Sequence, residues 1–254
     1  MLTEITPLVL TFNEAPNIRR TLERLGWSPE ILVVDSFSTD ETLEIVRSFP
    51  GAKVVQRKFD TFAGQCNLGL EQVRTPWVLS MDADYVLDDG FADEVAALKP
   101  EADVAGFRAC FDYCVHGRRL RATLYPPRVV LYRRERARYQ DEGHGHRVQI
   151  EGRVLPLRSR ILHDDRKPLE RWFSEQLKYS AKEARHLRVT SPAQLNRADR
   201  LRRWIIPAPF LVFGYTLLGK GLILDGWPGW YYVFQRTLAE IILSLRLLEA
   251  KLKD

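Results

Sequence analysis

Trp77-Val78-Leu79-Ser80-Met81-Asp82-Ala83-Asp84 is the stretch that decides the fold. An apolar run with strand character leads directly into two carboxylates one residue apart. In a strand, residues i and i+2 point to the same side, so Asp82 and Asp84 would repel each other at the strand's C-terminal end without a cation between them. Hard divalent ions such as Mg²⁺ or Mn²⁺ take carboxylate oxygens, usually through one or two protein groups plus a substrate's phosphates. A metal-diphosphate site is the first expectation. An Asp-X-Asp alone is equally a surface turn, so the elements around it have to decide.

Working outward, the first half alternates β-rich runs with helical periods. Pro7 to Phe12 reads as a strand, and Ile18, Leu22 and Leu25 follow at helical spacing. Ile31-Leu32-Val33-Val34-Asp35 is continuously apolar, as a strand buried on both faces is. Ser38 with Glu41 reads as a capping box opening a helix with Leu43, Val46 and Phe49. A third strand fits Ala52 to Gln56, a helix Gly64 to Val73, and a fourth strand Trp77 to Met81. Such alternation predicts an α/β fold, a parallel sheet with helices on both faces. Ligands of such sheets bind beyond the strands' C-terminal ends. Thr11, Asn13 and Glu14, then Asp35 and Ser36, then Asp82 and Asp84 all fall there. Asp35 is also placed to cap the turn that follows it.

The chain has 254 residues, 45% hydrophobic and 28% charged, which suits one large domain with an appendage and excludes a disordered chain. The net charge of +5 is concentrated: Arg118, Arg119, Arg121, Arg128, Arg133, Arg134, Arg136 and Arg138 share a stretch whose one acid is Glu135. That excess suits phosphorylated or anionic partners; no nucleic-acid partner is expected. Cys66, Cys110 and Cys114 are an odd count without zinc or thiol-redox spacing, and the start Met1-Leu2-Thr3-Glu4 lacks a basic secretory opening. A cytoplasmic location is the expectation.

Pro168 opens an amphipathic helix with Leu169, Trp172, Phe173, Leu177, Ala184 and Leu187 on one stripe. From Leu201 the composition changes. Ile205 to Leu224 carries one charge, Lys220, and is long enough for the about 20 apolar residues that cross a bilayer, but prolines and glycines break it. Trp227 to Leu248 mixes aromatics with Arg236, Glu240 and Arg246, a composition of interfacial helices. The expected division is a catalytic domain at 1–195 and a helical segment at 196–254. That segment attaches to the membrane without spanning it, on the inner face of the cytoplasmic membrane; the alternative is a hairpin packing on the domain or forming an oligomer.

Thr11-Phe12-Asn13-Glu14, Val34 to Thr42, Phe62 to Asn67 and Leu79 to Asp84 together resemble the family 2 glycosyltransferases of the GT-A fold, and among them bacterial enzymes similar to lipopolysaccharide-core β-glucosyltransferases. The resemblance implies that Thr11, Asn13, Glu14, Asp35 and Asp82 hold the nucleotide, that Gln65 and Asn67 lie near the nucleotide-sugar, and that Asp82 and Asp84 hold Mn²⁺ or Mg²⁺ on the sugar diphosphate. His163 is similar to a histidine near that metal and is added as a third ligand. The implied reaction is inverting transfer from a UDP-hexose to a lipid-linked sugar or lipopolysaccharide core.

The general base departs from the pattern. These relatives carry a His-Glu pair whose Glu aligns with His146, within Asp141-Glu142-Gly143-His144-Gly145-His146. The acid has moved to Glu142, with His144 as partner, or to Asp141, or a histidine such as His146 takes the proton, since imidazole titrates near neutrality. Asp164 and Asp165 are expected to cap the helix after Pro168. Two other readings stay open: transfer to a polyprenyl phosphate, which needs no base, and a silent protein that binds phosphorylated glycans or a membrane partner.

Overall fold

The apolar run Ile5–Thr11 forms β1, buried at every position but Leu10. The computed structural model describes residues 1–142 and 145–253. In chain order there follow α1 (Ile18–Glu23), β2 (Ile31–Asp35), α2 (Thr42–Arg47), β3 (Ala52–Gln56), α3 (Phe62–Gln72), β4 (Trp77–Asp82), β5 (Tyr85–Leu87), α4 (Phe91–Ala97) and β6 (Val104–Val115). After the short β7 (Arg118–Arg119) come β8 (Arg128–Arg133), β9 (Ala137–Glu142), β10 (Gly145–Ile150) and β11 (Arg153–His163). The helices α5 (Leu169–Val189), α6 (Arg197–Arg202), α7 (Pro207–Gly214) and α8 (Gly226–Lys253) complete the chain.

The residues divide into two units, Met1–Gly117 with Tyr125–Arg166, and Arg118–Leu124 with Lys167–Asp254. Helix α5, which the sequence places in the first domain, therefore groups with the second unit. The first unit is built on a sheet of order β3-β2-β1-β4-β8-β6-β11-β5. Strands β1 to β4 are parallel, with Leu8 opposite Leu32 and Thr11 opposite Asp35, and Leu10 opposite Asp82 on the other side. Neighbouring residues go to opposite faces. Val9, Val33 and Leu79 join Ile18, Leu22 and Val46 of α1 and α2, whereas Leu8, Leu32 and Val78 join Ala63, Cys66 and Leu70 of α3. Burial on both faces is why these strands read as unbroken apolar runs.

Beyond β4, where the sequence reads only as β-rich runs between arginines, the sheet is mixed. Strand β8 is antiparallel to both β4 and β6, β11 is parallel to β6, and β5 is antiparallel to β11. The chain leaves β4 at Asp82, turns through Ala83 and Asp84, and crosses to the edge as β5, where Tyr85 pairs with His163. Asp82 and Asp84 are thus not same-face neighbours of one strand, because a turn intervenes. The arginines of 118–138 also do not form one surface: Arg121 pairs with Asp225 in the second unit, and Arg133 lies over Trp77 in the first.

In the second unit Ala184 and Leu187 of α5 pack with Leu195, Ile205, Leu243 and Leu247. Arg202 forks onto Glu240 at 2.8 and 3.0 Å and also reaches Asp199 at 3.1 Å and Glu183 at 3.4 Å. Arg246 donates to Ser180 Oγ at 2.8 Å and to the Leu177 carbonyl at 2.9 Å. Glu240 and Arg246 of α8 therefore turn toward α5 and α6 within this unit.

The contact of α3 with β1 is tight enough to test. A Cβ at Gly69 would stand 2.4 and 2.7 Å from the two terminal carbons of Leu8, which is wholly buried. Gly69→Ala should lower stability by about 1–3 kcal/mol through overpacking, read as a lower urea midpoint with an unchanged slope.

Candidate active site

The C-terminal ends of β2, β1 and β4 lie side by side, and the loops leaving them are tied together by short polar side chains. Asn13 follows β1 in the left-handed region at φ 55°, a conformation asparagine tolerates better than most residues. The turn lets Asn13 N donate to Ser38 Oγ at 2.8 Å while its Oδ1 accepts from Thr39 N at 2.7 Å. Glu14 N donates to Thr42 Oγ1 at 2.7 Å, and Glu14 Oε2 accepts from Asn17 Nδ2 at 2.8 Å. Asp40 joins this knot. Burial works against its charge, but bonds from Thr42 and from Ala15 N hold its carboxyl below the ordinary range.

Asp35 is fully buried, and its carboxylate accepts from Ser38 N and from Gln56 Nε2, each at 3.0 Å, and from Ser38 Oγ. Asp35 does cap its turn. It also takes the hydroxyl that the capping-box reading gave to α2: that helix starts at Thr42, after Glu41, with no side-chain cap. Gln65 Nε2 reaches the Arg57 carbonyl at 3.0 Å and Ser36 Oγ at 3.3 Å. Thr11 Oγ1 and Gln65 Oε1 are buried without a hydrogen-bond partner among the described residues. They are acceptors facing no protein donor.

Asn67 does something different. Its amide exchanges two bonds of 3.0 Å with the backbone of Tyr139, and Asp141 Oδ1 accepts from Ala63 N at 3.3 Å. Both residues fix the β9–β10 hairpin to α3. Its register places Glu142 opposite Gly145 and Asp141 opposite His146 along the backbone. Of the residues proposed as base, His144 and the side chains of Glu142 and His146 lie outside the described residues.

The third wall is at Asp82 and Asp84. The β5–β11 pairing brings His163 Nε2 to 3.2 Å from Asp84 Oδ2, and Asp164 N donates to the Asp84 carbonyl at 3.0 Å. Burial of the His163 ring opposes its charge, but Asp84, with Asp82 and Asp165, more than offsets this and raises its pKa. Tyr85, Tyr113 and Tyr125 surround the ring with centroids 5.3, 5.0 and 4.7 Å away. The Tyr85 and Tyr125 hydroxyls bond each other, and burial together with Asp82 pushes both phenols up. Arg128 stacks over Tyr125 at 4.9 Å. Burial disfavours its charge, yet the Tyr125 and Tyr85 hydroxyls and Asp82 raise its pKa. Sequence reasoning did not single out Tyr85, Tyr113 or Tyr125, and it named Arg128 only as one of the arginine-rich stretch. Its one available signal was Tyr125-Pro126-Pro127-Arg128 inside the arginine-rich stretch.

The donor set suits a hard divalent ion. Asp84 is buried, Asp82 is half-buried, and His163 adds an imidazole nitrogen, its Nδ1 having no hydrogen bond among the described residues. Among the described residues no group of three His, Cys, Asp or Glu side chains closes around a point.

Asp164 and Asp165 do not cap α5, which begins after Pro168 with no side-chain cap. Asp164 accepts from Arg20 Nη1 at 2.5 Å, Arg166 Nε at 2.9 Å and Gly117 N at 2.9 Å, and Asp165 accepts from Asn17 Nδ2 at 3.0 Å. Charge-assisted bonds to two guanidiniums outweigh a cap on an exposed helix start. Asp164→Ala would leave those donors facing a buried gap. It should cost about 1–3 kcal/mol, seen as a lower denaturation midpoint.

Residues 8–151 match the profile of Glycosyl transferase family 2. An uncharacterized glycosyltransferase of Rickettsia bellii is 36% identical over 93 residues, 36% of this chain and 31% of that protein. The lipopolysaccharide core biosynthesis glycosyltransferase LpsC of Rhizobium meliloti is 30% identical over 109 residues, 41% of this chain and 40% of its own. The chain thus spans under half the length of these relatives. Among solved structures, mannosyltransferase PcManGT from Pyrobaculum calidifontis, in complex with GDP-Man and Mn²⁺, superposes at a TM-score of 0.56 with 15% identity, covering 98% of this chain and 88% of its own. S. aureus TarS 1-349 in complex with UDP-GlcNAc gives 0.50 at 17% identity, covering 93% and 81%. At such identities the likeness speaks for a shared fold.

Proposed function

This chain belongs to glycosyl transferase family 2, and from that premise we propose that it moves a hexose from a UDP-sugar to a hydroxyl of a lipid-linked glycan or lipopolysaccharide core, inverting the anomeric carbon. The observation that carries the reading is the Asp84–His163 pair, with Asp82 beside it, where the ends of β1, β2 and β4 adjoin. Open α/β sheets bind ligands in that crevice. The UDP donor and the lipopolysaccharide acceptor draw on the likeness to TarS, which was solved with UDP-GlcNAc, and to LpsC.

In this reading Thr11 Oγ1 and Gln65 Oε1 accept from the donor's base or ribose, and the knot of Asn13, Asp35 and Ser38 keeps that wall rigid. Asp84, Asp82 and His163 would hold Mn²⁺ or Mg²⁺, which when bound neutralises the diphosphate charge as a Lewis acid. Arg128, held over Tyr125, adds a fixed positive charge beside Asp82 for the departing diphosphate. The acceptor hydroxyl attacks the anomeric carbon in line, its proton passing to a base on the β9–β10 hairpin, and the bond to UDP breaks. One displacement with one base gives inversion.

The test is turnover with a panel of nucleotide sugars and Mn²⁺. Chelation should abolish transfer and added Mn²⁺ restore it. Asp84→Ala should lower kcat/KM by about a thousandfold with the fold intact by circular dichroism. A protein that neither binds nor hydrolyses any donor would overturn the enzyme reading. Arg128→Ala should cut kcat by about tenfold to a hundredfold as a lost electrostatic contact to the leaving group, with its circular dichroism spectrum kept. Of Glu142→Gln, His144→Ala and His146→Ala, one should remove turnover while donor binding persists. If all three retain it, the base does not lie on the hairpin and a phosphate acceptor becomes the better reading.

A further inference from the structure

The second unit turns apolar side chains outward. Trp204, Ile206, Phe210, Leu218, Leu224 and Trp227 are 66, 67, 74, 68, 70 and 86% exposed. Soluble monomers seldom leave so much contiguous chain of this kind in water. The opposite side of the same segment is satisfied: Ala208, Leu217 and Leu222 are buried, and α7 packs on α8. The exposed side is therefore a surplus, not an unfilled core.

Charge and shape choose the occupant. Residues 201–224 carry Arg202, Arg203 and Lys220 and no carboxylate. Arg202 is turned inward onto Glu240, so the outward charges at the border of the apolar surface are Arg203, exposed, and Lys220, whose ammonium lies 5.6 Å from the Tyr215 ring centre. The first acid beyond, Asp225, is held by Arg121 at 2.8 Å. Residues 201–224 thus offer a second copy of the same surface two outward cations and no carboxylate. A layer of anionic headgroups above acyl chains meets both the cations and the apolar side chains. No single described helix is long and apolar enough to cross a membrane, and the two stretches that qualify jointly, Pro207–Gly219 and Leu222–Lys253, are bent by 65°. The bend suits lying in one leaflet.

We propose that this surface seats the chain on an anionic lipid bilayer, with Phe210 and Leu218 entering the acyl boundary and Trp204 and Trp227 at headgroup level. The seat does not depend on the sugar chemistry of the first unit. Its test is co-sedimentation of the full chain with phosphatidylcholine vesicles, with and without phosphatidylglycerol, beside quenching of tryptophan emission by brominated lipid. The chain should pellet with the mixed vesicles and bind at least about tenfold less to the neutral ones. The F210E/L218E variant should lose at least about tenfold in partitioning while keeping its circular dichroism spectrum, and W204F/W227F should lose most of the quenching yet still pellet. Failure of the chain to pellet overturns the proposal, as does unchanged pelleting of F210E/L218E. A dimer by sedimentation equilibrium that F210E/L218E splits, without vesicle binding by the parent chain, assigns the surface to a second copy instead.

Discussion

The turn at Ala83–Asp84 is the constraint on which the first unit depends. Had β4 simply run on, Asp82 and Asp84 would have shared a face of one strand and faced each other across open space. Instead the chain breaks at Asp82 and pairs again only at the sheet's far edge, against the end of β11. Asp84 is thereby held at both its carbonyl, by Asp164 N, and its carboxylate, by His163. This joins the middle of the unit to its last strand, and it brings a buried carboxylate to an imidazole with Asp82 near by.

The electrostatics of that place follow from burial more than from any single pair. A carboxylate out of water needs a nearby positive charge or several donors. Around Asp82 and Asp84 the protein supplies His163, raised by its neighbours, and Arg128, held charged over Tyr125. Behind them Arg20 and Arg166 converge on Asp164. The tyrosines supply apolar rings that exclude water from His163 and hydroxyls that stay protonated. In the function proposed above, a diphosphate entering this site would meet positive charge fixed before it arrives, which favours the transition state over the ground state in a charge-separating step.

Much of this was legible in the chain. The two-sided burial of β1, β2 and β4 writes itself as continuous apolar sequence, and the residues that end those strands, Thr11, Asp35 and Asp82, stand where the topology needs polar groups. What the sequence concealed depends on long-range pairing. Nothing local says that Tyr85 will lie opposite His163, 78 residues later, or that Asn67 will hold the backbone of Tyr139. Local rules also misled where a stronger partner was out of view. Ser38 fits a capping box, but the buried Asp35 claims it. Asp164 and Asp165 fit a helix cap, but Arg20, Arg166 and Asn17 claim them.

The second unit has an apolar interior of Leu187, Leu195, Leu243 and Leu247, yet part of it distributes polarity the other way round. The Arg202 guanidinium sits among Glu240, Asp199 and Glu183, while Phe210, Leu224 and Trp227 stand outside. Burying an ion cluster costs desolvation that its own attraction barely repays, so such a cluster does more to fix the register of α6 against α8 than to stabilise either. In water, moving the apolar residues inward and the charges outward would be the cheaper arrangement. On the bilayer seat proposed above, the outward apolar residues would lose that disadvantage, since an apolar side chain is not penalised against acyl chains.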